Sequence, residues 1–226
     1  MAAPPPPEAA ARRLPMFPLQ RLPLPGSALP LHVFEPRYVE LTRDCLDGDR
    51  LFGVVLIMRG SEVGADPDQV RSDVGVLVRI RRARPTEGER WILETDCLER
   101  LRVRRWLADD PYPRALIEPW PDPPTAPGAA GGPAERVTET YRRIAAMLAA
   151  ERAGAPPELR FDGLSSDPTR AAYQLCGAAP VGELDRLRLL EAAGTVERLR
   201  LLAELLEGVE ETLRLLRGSG EDAPPG

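Results

Sequence analysis

The sequence predicts an α+β protein, with a β-rich block over residues 14–120 followed by a helical block over residues 134–217. Three observations carry this. Leu51 to Met58 is an unbroken apolar run of strand length, and short alternating segments follow it. Further on, Leu199, Leu202, Leu206, Val209, Leu213 and Leu216 recur at a regular 3-4-3-4-3 spacing, which marks a helix with one apolar seam. Between the blocks lies a segment rich in proline, glycine and alanine, residues 121–133, that reads as a linker.

The elements follow in order. Residues 1–13 are Pro/Ala-rich and read as disordered. In Pro30-Leu-His-Val-Phe34 alternation puts His32 on one face of a short strand. A helix then starts at Pro36, which suits a first turn, and places Tyr38, Leu41 and Cys45 on one face. Leu51–Met58 reads as a strand buried on both faces, followed by strands at Val74–Ile80, Trp91–Asp96, Leu101–Trp106 and Tyr112–Glu118. Pro85-Thr-Glu-Gly88 supplies a turn between the first two of those four. Short strands at intervals of about 8–12 residues suggest a barrel or sandwich.

In the second block Val137, Tyr141, Ile144 and Leu148 share a helix face within Ala134–Arg152. Asp167-Pro168 is a helix start, with the carboxylate as N-cap and proline at the first helical position. Glu183–Glu191 reads as a short helix closed by Gly194. The leucine seam begins after Thr195, and Glu210 with Arg214 forms an i, i+4 pair on its wet side. The seam reads as the internal core of a small bundle, and residues 218–226 as a disordered tail.

Composition removes several functions. All 30 basic residues of the 226 are arginine, with no lysine in the chain. A P-loop needs its lysine on the phosphates, and Schiff-base chemistry or a Ser-Lys dyad needs a lysine amine. The net charge of −5 opposes a general nucleic-acid coat. Cys45, Cys97 and Cys176 are odd in number and far apart, without a CxxC pair, so they suggest neither a disulfide framework nor a zinc site and point to a reducing, cytoplasmic compartment. The N-terminus has no apolar core of a signal peptide, and no run reaches the ~18 apolar residues of a membrane span.

No catalytic constellation emerges. His32, the one histidine, reads as structural, because no HExxH, GxSxG or paired-histidine pattern accompanies it. Arg79, Arg81, Arg82 and Arg84 on one strand, and Arg100, Arg102, Arg104 and Arg105 on another, are candidates for a basic face. Residues 14–122 hold 16 arginines against 18 acids, so these strands read as solvated faces balanced by Glu87, Glu89, Glu94 and Glu99. Asp66, Asp68 and Asp73 match no metal-loop spacing. Neither a cofactor nor a metal is implied.

Leu14-Pro-Met-Phe-Pro-Leu19, Leu24-Pro-Gly26 and Leu29-Pro-Leu-His-Val-Phe-Glu-Pro-Arg-Tyr38 resemble the opening of the Lon protease N-terminal (substrate-binding) domain family. The likeness continues through Phe52-Gly-Val-Val-Leu56, Arg100-Leu-Arg-Val103, Asp167-Pro-Thr-Arg-Ala-Ala-Tyr173 and Thr195-Val-Glu-Arg-Leu-Arg-Leu-Leu202. It implies a PUA-like β-barrel subdomain followed by a helical subdomain. It also implies a non-catalytic recognition domain, without the ATPase and Ser-Lys peptidase that accompany it in full-length Lon enzymes. Its partners would be unfolded or tagged polypeptides and a separate Lon-type ATPase-protease. The residues expected to offer client-binding surface are Met16, Phe17, Leu24, Phe34 and Tyr38, with a core role favoured for Phe34 and Tyr38. His32, Glu35, Pro36 and Arg37 form the structural signature, with Glu35 and Arg37 expected to fix the turn. An RNA-binding module using the arginine strands is the alternative.

Overall fold

The computed structural model describes residues 11–64, 66, 68–151 and 163–221. The described residues fall into two compact units that divide between Pro121 and Asp122. The first contains β1 (Arg12–Leu19), β2 (Ala28–Val33), α1 (Pro36–Asp47), β3 (Leu51–Arg59), β4 (Val70–Thr86), β5 (Arg90–Trp106) and β6 (Arg114–Pro119).

The six strands lie in the order β2-β5-β4-β3-β1-β6, and β5 also pairs with β6. That extra pairing closes β1, β3, β4, β5 and β6 into a ring and leaves β2 outside it, paired among the described residues with β5 alone. Leu14, Met16, Leu51, Val55, Leu77, Leu101, Val103, Ala115 and Ile117 fill the interior. β3 is buried from Leu51 to Ile57, as its continuous apolar run requires. Opposite Val55 in the antiparallel β3–β4 pair, Gly75 is obligatory, because a Cβ there would strike the carbonyl oxygen of Val54.

Three expectations are corrected here. The N-terminal segment read as disordered to residue 13 is partly a strand, with Arg12 and Arg13 pairing with Ile117 and Leu116; residues 1–10 lie outside the described residues. The segments Trp91–Asp96 and Leu101–Trp106 are one strand, β5, because β4 and β6 supply partners on either side of the polar Glu99-Arg100 step. Arg100 is not solvated. It is 1% exposed, its Nε donates to the Trp120 carbonyl at 2.9 Å, and its guanidinium lies 3.9 Å from the Trp120 ring centre.

The second unit holds α2 (Gly131–Glu151), α3 (Pro168–Ala178), α4 (Glu183–Glu191) and α5 (Thr195–Glu221). α2 begins inside the segment read as linker, since Gly131, Gly132 and Pro133 occupy a first turn whose N–H groups need no intrahelical partner. α3 starts as its sequence demands, with the Asp167 carboxylate accepting from Arg170 N at 2.7 Å. α5 runs into the segment read as tail, and residues 222–226 lie outside the described residues.

Leu199, Leu202 and Leu206 are buried, as are Val137, Tyr141 and Ile144 on the neighbouring α2, whereas Leu216 is 67% exposed. The seam is therefore internal only over its first half. Glu210 is not on a wet side: it is 3% exposed and holds both Arg143 (2.9 Å) and Arg214 (2.5 Å). Asp122 accepts from Arg198 at 2.7 Å and from the Tyr173 hydroxyl at 2.6 Å. The three cysteines are free and buried, and burial pushes their thiols up to about 12 for Cys45, about 11 for Cys97 and about 12 for Cys176. No described helix is long and apolar enough to cross a membrane.

Candidate functional site

The segment from Leu29 to Tyr38 runs along β2, turns at Phe34-Glu35 and enters α1. Pro36 sits in the first turn, and the Glu35 carbonyl accepts from the Tyr38 and Val39 N–H groups at 2.9 Å each. The Glu35 side chain does not cap the helix. It accepts from Gly64 N at 3.1 Å and pairs with Arg37 at 3.1 Å, while Arg37 donates to the Gly64 carbonyl at 2.7 Å. One ion pair thus grips both backbone groups of Gly64, in a loop whose φ of +85° there suits glycine. The pairing expected of Glu35 and Arg37 is present, and it reaches a second loop.

Arg37 also lies over the Tyr38 ring at 4.5 Å, and Tyr38 stacks on Phe17 at 4.0 Å with the rings 13° apart. Burial pushes the Tyr38 hydroxyl up to about 12.

The five residues expected to offer client-binding surface separate sharply. Met16, Phe17, Leu24 and Tyr38 are all in the core, at 0%, 7%, 2% and 3% exposure. Met16 enters the barrel interior, Phe17 on the opposite face of β1 stacks on Tyr38 of α1, and Leu24 is buried in the loop after β1. Phe34 is the reverse case: a core role was favoured, yet it is 50% exposed. It follows Val33, the last residue of β2, and continues the outward parity of Pro30 and His32. His32 is exposed as well and meets the Phe34 ring edge-on at 6.4 Å.

Phe34 borders a shallow cleft of 230 Å³ lined also by Pro36, Arg37, Val39, Glu40, Gly88, Glu89 and Pro111. The lining comes from three separate places: the β2–α1 junction, the β4–β5 turn and the loop before β6. At the turn Gly88 and Glu89 both have positive φ, +74° and +57°. The charges around the cleft are already engaged, since Arg43 pairs with Glu40 at 2.5 Å and with Glu89 at 3.7 Å, and Arg37 is held by Glu35. What remains open to a ligand is an aromatic ring beside the exposed Pro36 and Pro111.

A second cleft of 410 Å³ is lined by Asp66, Gln69, Arg71, Asp73, Trp106 and Asp109. Its polar groups answer one another. Arg71 donates to both Asp109 oxygens (3.2 and 2.7 Å) and to Gln69, and Trp106 Nε1 donates to Asp73 at 3.2 Å. Asp66 instead accepts from the Ser61 and Asp68 N–H groups of its own loop. Nothing in the sequence links these residues, because their meeting depends on loops 38 positions apart.

The arginine strands are partly paired with acids and partly stacked on an aromatic ring. Arg81, Arg82 and Arg84 gather around Glu94 at 3.4–4.0 Å, and Arg104 pairs with Glu118 at 2.6 Å. Arg102 stacks on Trp120 at 3.5 Å, beside the buried Arg100. Among the described residues, no group of three or more His, Cys, Asp or Glu side chains could hold a metal ion.

Known proteins share this architecture. A crystal structure of a Lon N-terminal domain protein from Xanthomonas campestris is 26% identical, with a TM-score of 0.61 over 84% of this chain and 96% of that one. The N-terminal domain of a Mycobacterium avium complex Lon protease has the same fold at 15% identity, with a TM-score of 0.60 over 87% of this chain and 98% of that one. Lon protease 2 of Sorangium cellulosum is 27% identical over 93% of this chain, and a Lon protease of Roseiflexus castenholzii is 25% identical over 92%. The chain spans 26% of the length of each of these two proteases. The model of the ATP-dependent protease La (LON) substrate-binding domain matches residues 13–208, barrel and helices together, and the chain belongs to that family.

Proposed function

We propose that this chain is a non-catalytic recognition module that takes up unfolded or tagged polypeptides at the Phe34 cleft and presents them to a Lon-type ATPase-protease. The single observation that carries the reading is Phe34, a half-exposed aromatic ring beside Pro36, Val39 and Pro111 with the neighbouring charges already paired. Apolar burial is non-directional and scales with area, so such a surface accepts many sequences. Covering the exposed half of a phenylalanine, about 100 Å², contributes about 2.5 kcal/mol. The three buried, unpaired cysteines fit a module that works in the reducing cytoplasm.

Reduced, carboxymethylated α-lactalbumin, titrated by fluorescence anisotropy, tests this. The wild-type chain is expected to bind it at micromolar concentration, and Phe34→Ala to bind at least about tenfold more weakly, since 1.4 kcal/mol is a factor of ten. No binding above a globular control would refute the polypeptide reading. Equal binding by Phe34→Ala would refute the site.

A further inference from the structure

β2 lies outside the closed ring and, among the described residues, has a partner strand on one side only. Its register with β5 runs from Ala28 opposite Asp96 to Val33 opposite Trp91. Cys97 N donates to the Ser27 carbonyl at 2.9 Å, so Ser27 and Cys97 are a hydrogen-bonded pair. Antiparallel pairs alternate. Leu29, Leu31 and Val33 therefore point their backbone groups at β5, while Ala28, Pro30 and His32 point theirs away. Pro30, which has no N–H, sits where the ladder to β5 needs none. Ala28, Pro30 and His32 are also the exposed residues of the strand.

We propose that this free edge of β2 is a rail for an extended polypeptide segment, which adds as a further strand and carries an apolar side chain into the Phe34 cleft. The inference rests on the polypeptide reading above and specifies how such a client is held. Main-chain hydrogen bonds supply affinity without regard to sequence, and the cleft supplies the preference for side chains.

Two features favour this occupant. Proteins protect free edges with charge, and β4 does so: beyond Arg79, where its pairing with β3 ends, it carries Arg81, Arg82, Arg84 and Pro85. β2, Ala-Leu-Pro-Leu-His-Val, has no charged residue, and its rail ends at the exposed Phe34. A second copy of the chain fits less well than a foreign strand. In a symmetric pairing centred on Pro30 both strands lack the central donor, whereas a foreign strand meets only one such gap.

Amide hydrogen exchange on the intact chain, with and without carboxymethylated α-lactalbumin, tests the rail. The Ala28 and His32 amides are expected to exchange freely alone and at least about tenfold more slowly with the client. The amides of Leu29, Leu31 and Val33, already paired to β5, are expected to change little. His32→Pro removes one outward donor at a position where proline leaves the β5 ladder intact. It is expected to weaken binding by up to about tenfold with the thermal midpoint kept, the scale of one hydrogen bond.

If the client binds, and Phe34→Ala weakens it, while the Ala28 and His32 amides still exchange as in the free chain, the rail is wrong and the cleft stands. If the amides are protected without client in a concentration-dependent way, the edge pairs with itself and the proposal falls. If no client binds, the polypeptide reading fails, and the rail with it.

Discussion

Asp122→Ala removes one carboxylate from the helical unit, and its cost follows from what that carboxylate faces. Arg198 is fully buried, with 0% of its side chain exposed, and Asp122 is 9% exposed. Arg198 gives Nη2 to Asp122 at 2.7 Å and Nε to the Leu189 carbonyl at 2.9 Å, and its guanidinium lies 4.0 Å from the Tyr173 ring centre. Its Nη1 already has no hydrogen-bond partner among the described residues. Truncating Asp122 leaves a buried cation without its counter-charge and strips the Tyr173 hydroxyl of its 2.6 Å acceptor. Breaking a buried pair from one side costs about 3–5 kcal/mol. For a unit of this size each kcal/mol lowers the midpoint by about 4–8 °C, so the drop is about 12 °C or more. Thermal unfolding followed by circular dichroism at the helix signal measures it. Adding Arg198→Met to Asp122→Ala is expected to restore most of the loss, because an apolar replacement of the whole pair is nearly neutral. A loss below about 1 kcal/mol for Asp122→Ala, or purely additive effects in the double variant, refutes the reasoning.

Other outcomes follow from the same kind of accounting. Glu210 has its carboxyl held below the usual range, chiefly by the hydrogen bond from Arg143. A lowered folded-state pKa adds stability that is complete above the unfolded value of about 4.3 and is lost as pH falls through the folded value. Glu210→Gln is therefore expected to destabilise at pH 7 and to match wild type in strong acid, as denaturation across pH will show. Gly75→Ala places a Cβ against the Val54 backbone, which has nowhere to go, and is expected to cost about 3 kcal/mol or more. Gly53→Ala meets mainly the flexible end of Met16, at 2.7 Å, and is expected to cost about 1 kcal/mol. Urea midpoints that reverse this order would contradict the packing described for the barrel.

Local signals in the sequence were reliable where a residue's neighbours along the chain decide its fate. Pro36 and Asp167-Pro168 marked helix starts, and the apolar run at Leu51 marked a buried strand, because caps and runs are short-range physics. Charged residues misled. Arg100 and Glu210 were assigned to water by periodicity, yet each is buried because a partner arrives from far along the chain: Trp120 for one, Arg143 from 67 residues away for the other. The site was half legible. The pairing of Glu35 with Arg37 could be expected from their places around Pro36, whereas Phe34, for which the sequence favours a core role, is turned outward by its parity with Pro30 and His32. That Gly88, Glu89 and Pro111 would close the cleft could not be read, since they come from two other loops, the β4–β5 turn and the segment before β6.

The absence of lysine and the burial of all three thiols have a joint chemical consequence. Neither amine acylation nor thiol alkylation finds a side chain on the folded surface to attack. Cys45 and Cys97 lie in the barrel and Cys176 in the helical unit, each held as the neutral thiol by its surroundings. A maleimide or iodoacetamide pulse therefore modifies the chain only when a unit opens. Peptide mapping of the label then times the opening of each unit separately, with no engineered probe.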